Sequence, residues 1–111
     1  MELSERMEDG LTILEVAGSV DSVTAHDLGA KLSAILATPQ HKVLIDFRQL
    51  EYISSAGFRV LFLASKQAGN SGGKLALCGL SAKAQELFSI AGFHKLFTIA
   101  PTRADGVAAL R

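Results

Sequence analysis

VLIDFRQLEYISSAGFRVLFL, residues 43–63, decides the fold. Its first part, Val43 to Phe47, is an almost continuous apolar run broken by Asp46. Such a run suits a strand covered on both faces, as in sheets with helices on either side. A short acidic-to-polar loop follows, and a helix then opens at the paired serines Ser54 and Ser55. In that helix Phe58, Leu61, Phe62 and Ser65 share one side, and Val60 and Leu63 widen the apolar surface. The helix fades into residues 68–73, AGNSGG, whose three glycines suit a C-cap and turn.

Upstream, Leu3–Met7 and Leu11–Val16 are strand-like, and Asp9-Gly10 between them is a strong hairpin signal. Asp21 or Ser22 is the expected N-cap of the next helix, with Val23, Leu28, Leu32 and Ile35 as its apolar stripe. Thr38-Pro39 ends that helix. Downstream, Lys74–Cys78 reads as a strand and Gly79-Leu80-Ser81 as a turn and N-cap. Ala84, Leu87, Phe88 and Ala91 then keep helical spacing, with Gly92 as the C-cap. Leu96–Ile99 is a short strand, and a last helix runs from Pro101-Thr102 through Leu110. A hairpin followed by alternating helices and strands predicts one α/β domain over residues 1–111. Its sheet is mixed and mostly parallel, with about 4–5 strands and about four helices.

Composition narrows the function. Hydrophobic residues make up 49% of the 111, enough for a core without disulfides or metal. Lys+Arg and Asp+Glu are both 11, and no basic cluster occurs, which argues against nucleic-acid binding. The N-terminal MELSERMEDG has no apolar leader region, and no run approaches the roughly 18 apolar residues of a membrane helix. The lone Cys78 sits in an apolar run and reads as a small buried hydrophobe. These features predict a cytoplasmic protein. His26, His41 and His94 show no metal spacing, and residues 69–73 lack the Walker lysine pattern. No cofactor is expected. Phe93 and Phe97 read as core.

Ser54 and Ser55 lie where hydroxyls meet the positive end of a helix dipole. Either can be a plain N-cap. Gly57 in the first turn is costly to a helix, which makes sense if something approaches the backbone closely, such as a partner surface. Asp21 and Asp46 should emerge on the same sheet edge as Ser55, for capping and backbone hydrogen bonding or for recognition. No glycine stands two places before either serine, and no His, Glu or Lys adjoins them, so a serine hydrolase is disfavoured.

The segments Val43-Leu-Ile-Asp-Phe47 and Leu50-Glu-Tyr-Ile-Ser-Ser-Ala-Gly57-Phe58 closely resemble the signature of STAS domains, in particular the stand-alone bacterial anti-sigma factor antagonists. Gly18-Ser-Val-Asp21, Gly73-Lys-Leu-Ala-Leu-Cys-Gly79 and Leu87-Phe-Ser-Ile-Ala-Gly92-Phe93 resemble further family motifs, so the likeness covers nearly the whole chain. It implies a non-enzymatic partner switch. The unphosphorylated antagonist binds an anti-sigma factor that is also a serine kinase of the GHKL type. Phosphorylation of one serine releases it, and a metal-dependent phosphatase resets it. The acceptor maps to Ser55, with Ser54 the alternative, and the partner-binding surface to Asp21, Ser22, Asp46, Ser54, Ala56, Gly57 and Phe58. The chain departs from the common pattern twice. Ser54 stands where many antagonists carry aspartate, and Ala56 where many carry a second serine. A constitutive STAS subunit of a stress-sensing or lipid-trafficking complex is the other reading that the resemblance allows.

Overall fold

Residues 1–90, 92 and 95–111 are described in a computed structural model. The elements are β1 (Glu2–Glu8), β2 (Leu11–Val20), α1 (Thr24–Leu36), β3 (Lys42–Asp46), β4 (Leu50–Ile53), α2 (Ser55–Asn70), β5 (Lys74–Cys78), α3 (Ala82–Ile90), β6 (Thr98–Ala100) and α4 (Arg103–Leu110). They form a 6-stranded sheet in the order β1-β2-β3-β5-β6, with β4 off this path on β2. Among the described residues only the β1–β2 pair is antiparallel. Asp9 and Gly10 both take positive φ, 53° and 79°, as the predicted two-residue hairpin turn requires.

The sheet is covered on both faces, as the apolar run of β3 foretold. On one face Leu14, Val16, Val43, Ile45 and Leu77 pack with Leu28, Leu32, Leu61 and Phe88 of the helices α1, α2 and α3. On the other, Leu11, Ile13, Leu44, Ala76 and Cys78 meet Val107 and Leu110 of α4. Phe88 lies edge-on to Phe58 at 4.8 Å and to Phe97 at 5.9 Å, which joins α3 to α2.

Three apolar assignments change, and one strand is added. Val23 is 75% exposed, because it lies in the turn that Asp21 caps, ahead of the first helical residue. The buried stripe of α1 is Ala25, Leu28, Leu32 and Leu36, with Ile35 half-buried. Leu63 is exposed because the buried face of α2 runs through Gly57, Leu61, Ala64 and Ala68, a narrower band than expected. Leu87 is also exposed; α3 buries Phe88. The added strand is β4. Its LEYI alternates poorly and pairs with the last three residues of β2 across a register shift at Gly18/Ser19. A segment so short carries no clear period. Ala91, Phe93 and His94, named in the sequence reading, lie outside the described residues.

Cys78 is fully buried, and burial together with the charge of Asp46 pushes its thiol up to about 12. The raised value favours the neutral thiol in the fold. Its contribution to stability is present below the ordinary thiol range and lost as pH rises toward 12. Alkylation at pH 8 is expected to be ~100-fold slower in buffer than in denaturant. Equal rates would show that the thiol is accessible in the native state.

Candidate functional site

The site is assembled where β2 and β4 end. Val20 pairs with Ile53, and the Ser54 N–H donates to the Val20 carbonyl at 2.8 Å. The residues that follow these strands, Asp21 and Ser54–Ser55, are thereby brought side by side, as the sequence predicts.

The two serines have separate duties. Ser54 is extended (φ −83°, ψ 170°), and its Oγ accepts from the Gly57 N–H at 3.2 Å while its carbonyl accepts from Phe58 N–H at 3.0 Å. It is the N-cap of α2, half-buried and hydrogen-bonded within its own turn. Ser55 is the first helical residue and is exposed. The first turn of α2 holds no acidic side chain, so added negative charge there meets the positive end of the helix unopposed.

Ser55 opens onto a groove of about 610 Å³ between α2 and α3, walled by Phe58, Arg59 and Phe62 on one side and Leu87, Ile90 and Leu96 on the other. Ile90 is 76% exposed, Leu96 48% and Leu87 43%. Tyr52 and Leu87 line an adjoining cleft between β4 and α3, which extends the apolar surface. Contiguous exposed apolar surface of this kind marks interaction sites. Among the described residues lining the groove the charged one is Arg59, which cannot serve Ser55 as a base at neutral pH.

Asp21 is exposed beside this edge, with Ser22 next to it. Its Oδ1 accepts from the backbone N–H of Thr24 (2.8 Å), the Thr24 hydroxyl (3.0 Å) and the Val23 N–H (2.9 Å), and these bonds hold its carboxyl below the ordinary range. The residue caps α1 and keeps its charge at the surface.

Two predicted contact residues are buried within the protein. Asp46 does end β3 at the same sheet edge, but it points to the α4 face and is 5% exposed. Alternation along β3 places it with Leu44, and Arg103 of α4 pairs with its Oδ2 at 3.0 Å while the Arg48 N–H bonds Oδ1 at 2.9 Å. Gly57 is buried, and the body pressing on it is the protein itself. A Cβ there would lie 2.6 Å from Ile53 Cγ1 and 3.0 Å from Val20 Cγ1. The glycine lets α2 start directly against the β2–β4 pair, which is what carries Ser55 to the surface. Ala56 and Phe58 are half-buried, and Phe58 shows one side to the groove.

The sequence reading did not single out Arg59, Tyr52 or the outer row of α3. Leu87 was read as core, and Ile90 fell outside the periodic pattern. Their exposure follows from how α3 rolls onto Phe88, which sequence spacing does not specify. No group of three or more His, Cys, Asp or Glu among the described residues could hold a metal ion. No helix among them is long and apolar enough to cross a membrane.

A chain with this sheet and a capped serine turn between β4 and α2 has clear relatives. The STAS domain family model matches residues 3–106, and the chain belongs to that family. BtrV of Bordetella bronchiseptica, which carries the name of an anti-sigma factor antagonist, is 38% identical over 111 residues, covering 100% of this chain and 96% of BtrV. The crystal structure of an anti-sigma factor antagonist from Mycobacterium paratuberculosis superposes with a TM-score of 0.89 at 25% identity, covering 99% of this chain and 93% of that one. The Bacillus cell-fate determinant SpoIIAA in its phosphorylated form shares the fold, with a TM-score of 0.74 at 16% identity over 99% of this chain and 100% of that one.

Proposed function

We propose that this protein is an anti-sigma factor antagonist, and that phosphorylation of Ser55 switches it between partners. The observation that carries the reading is the division of labour at the start of α2. The Ser54 hydroxyl is bonded to the Gly57 N–H, whereas the exposed Ser55 stands on the lip of an apolar groove. The names of its relatives favour the same reading. Unmodified, the surface around Ser55, Phe58, Asp21 and Ser22 docks an anti-sigma factor that is also a serine kinase of the GHKL type. The kinase transfers the γ-phosphoryl group of ATP to Ser55 Oγ, the hydroxyl proton is lost and ADP leaves. A metal-dependent serine phosphatase restores the hydroxyl. The protein itself performs no catalysis and acts in the cytoplasm.

The physics suits a switch. The phosphate brings about −1.5 to −2 charges to one point of an apolar face. Inside the antagonist the charge lies at a helix start and is tolerated. Across a closed interface it would be desolvated without a partner.

Intact mass with site mapping, after incubation with ATP and the GHKL kinase encoded nearest to this gene, tests the assignment. One added phosphate on Ser55 is expected, and Ser55→Ala should abolish it. Modification of Ser54 would move the acceptor by one residue. A stable complex that gains no phosphate would replace the switch with a constitutive STAS subunit.

A further inference from the structure

Arg59 forms no hydrogen bond or ion pair with any described residue, whereas three other arginines of the chain do. Arg6 pairs with Glu15, Arg103 with Glu15 and Asp46, and Arg111 with Asp9. It stands four residues after Ser55 on α2, and both line the same groove. Residues at that spacing share a helix face with their Cβ atoms ~5–6 Å apart, and an anionic group N-terminal to a cationic one is the favourable order. A guanidinium fork matches the oxygens of a phosphate bidentately.

We infer that Arg59 is the internal clamp for a phosphate on Ser55. The inference rests on Ser55 as the modified residue and adds what the modification does next. The clamp holds the phosphoryl group over the groove, along the helix face shared by Ser55 and Arg59. The groove's one cationic side chain among the described residues is thereby neutralised, and its rim turns from cationic to anionic. The same modification thus adds a charge that repels an acidic partner group and withdraws the cation that would have received it. Ser54 cannot use this clamp. It is five residues from Arg59, off the shared face, and its Oγ is bonded to the Gly57 N–H. Other nearby charges lie outside the groove. Glu51 and Lys83 line the adjoining cleft, and Lys66 sits over the Phe62 ring at 5.3 Å.

The test installs phosphoserine genetically at position 55 of the full chain, so it needs no kinase. The 31P resonance is titrated through the second phosphate ionisation, ordinarily near pKa ~6. A clamp favours the dianion and should lower that value by about half a unit or more. Arg59→Gln should raise it again, leaving only the part that the helix start supplies, and Arg59→Lys should recover part of the difference. Phosphoserine at position 54 should titrate alike whether Arg or Gln stands at position 59. Thermal melting of the unphosphorylated Arg59→Gln protein should match wild type, which separates the clamp from a structural role. An unshifted value at position 55, or one that Arg59→Gln leaves in place, overturns the inference. Failure of the kinase to modify Ser55 in the separate mass experiment would count against the functional reading instead, with the clamp measured independently of it.

Discussion

Ser55→Asp is expected to fold like wild type and to bind the anti-sigma kinase at least about 100-fold more weakly, a loss of roughly 3 kcal/mol. The side chain is exposed, so replacing its hydroxyl removes no packing and no described hydrogen bond. A carboxylate in the first turn of α2 meets the helix dipole favourably, and stability should hold or rise slightly. Binding differs because the same charge must enter an interface walled by Phe58, Phe62, Leu87 and Ile90. Titration calorimetry against the kinase reads the affinity, and circular dichroism with a thermal melt reads the fold. Ser55→Ala is the counterpart, expected to bind as wild type and to stay bound in the presence of ATP. Wild-type affinity in Ser55→Asp would sink the charge-based switch.

The second large effect concerns stability, on the opposite face. Arg103→Met is expected to lower unfolding free energy by about 2–3 kcal/mol. Asp46 is 5% exposed and bonds Arg103 through Nε at 3.1 Å and Nη2 at 3.0 Å. Without the guanidinium the carboxylate stays buried with only the Arg48 N–H and the weakly donating Cys78 thiol beside it. Glu15, 3.1 Å from Arg103, would lose a neighbour as well, though it keeps Arg6. Arg103 is itself 28% exposed, so water can reach part of the gap, and the figure is set just below the range for broken, fully buried pairs. Urea unfolding measures the change. Asp46→Asn in the Arg103→Met background should recover part of it, because the buried charge is gone. A loss below about 0.5 kcal/mol would mean that Asp46 is solvated well enough to need no partner.

The strands and helices were legible where the period was strong and the burial two-sided. β3 reads as covered on both faces because nearly every residue from Val43 to Phe47 is apolar, and all five are buried. The Asp9-Gly10 turn follows from two residues that accept positive φ. β4 was not legible. Four residues pairing across a register shift leave no alternation to see. The site was partly legible for a related reason. Asp21 and the serines follow from cap chemistry, which is local, and both appear at the sheet edge where cap chemistry puts them. Whether Asp46 faces outward depends on which face of β3 it occupies and on Arg103, 57 residues further along the chain. Whether Gly57 meets a partner or the protein's own Ile53 depends on the tilt of α2 against the β2–β4 pair. Neither is written in the neighbouring sequence.

The cap on α2 belongs to Ser54, and the exposed hydroxyl belongs to its neighbour. A group added to Ser55 therefore leaves the bond that starts the helix untouched. Both forms of the molecule would keep one backbone and one core, and neither would drift into the other by thermal motion. The state would be held as a covalent record, readable by any partner that tests the groove and lasting until an enzyme erases it. Such a protein would keep time by the balance of two enzymes, and dilution or the departure of a partner would not reset it.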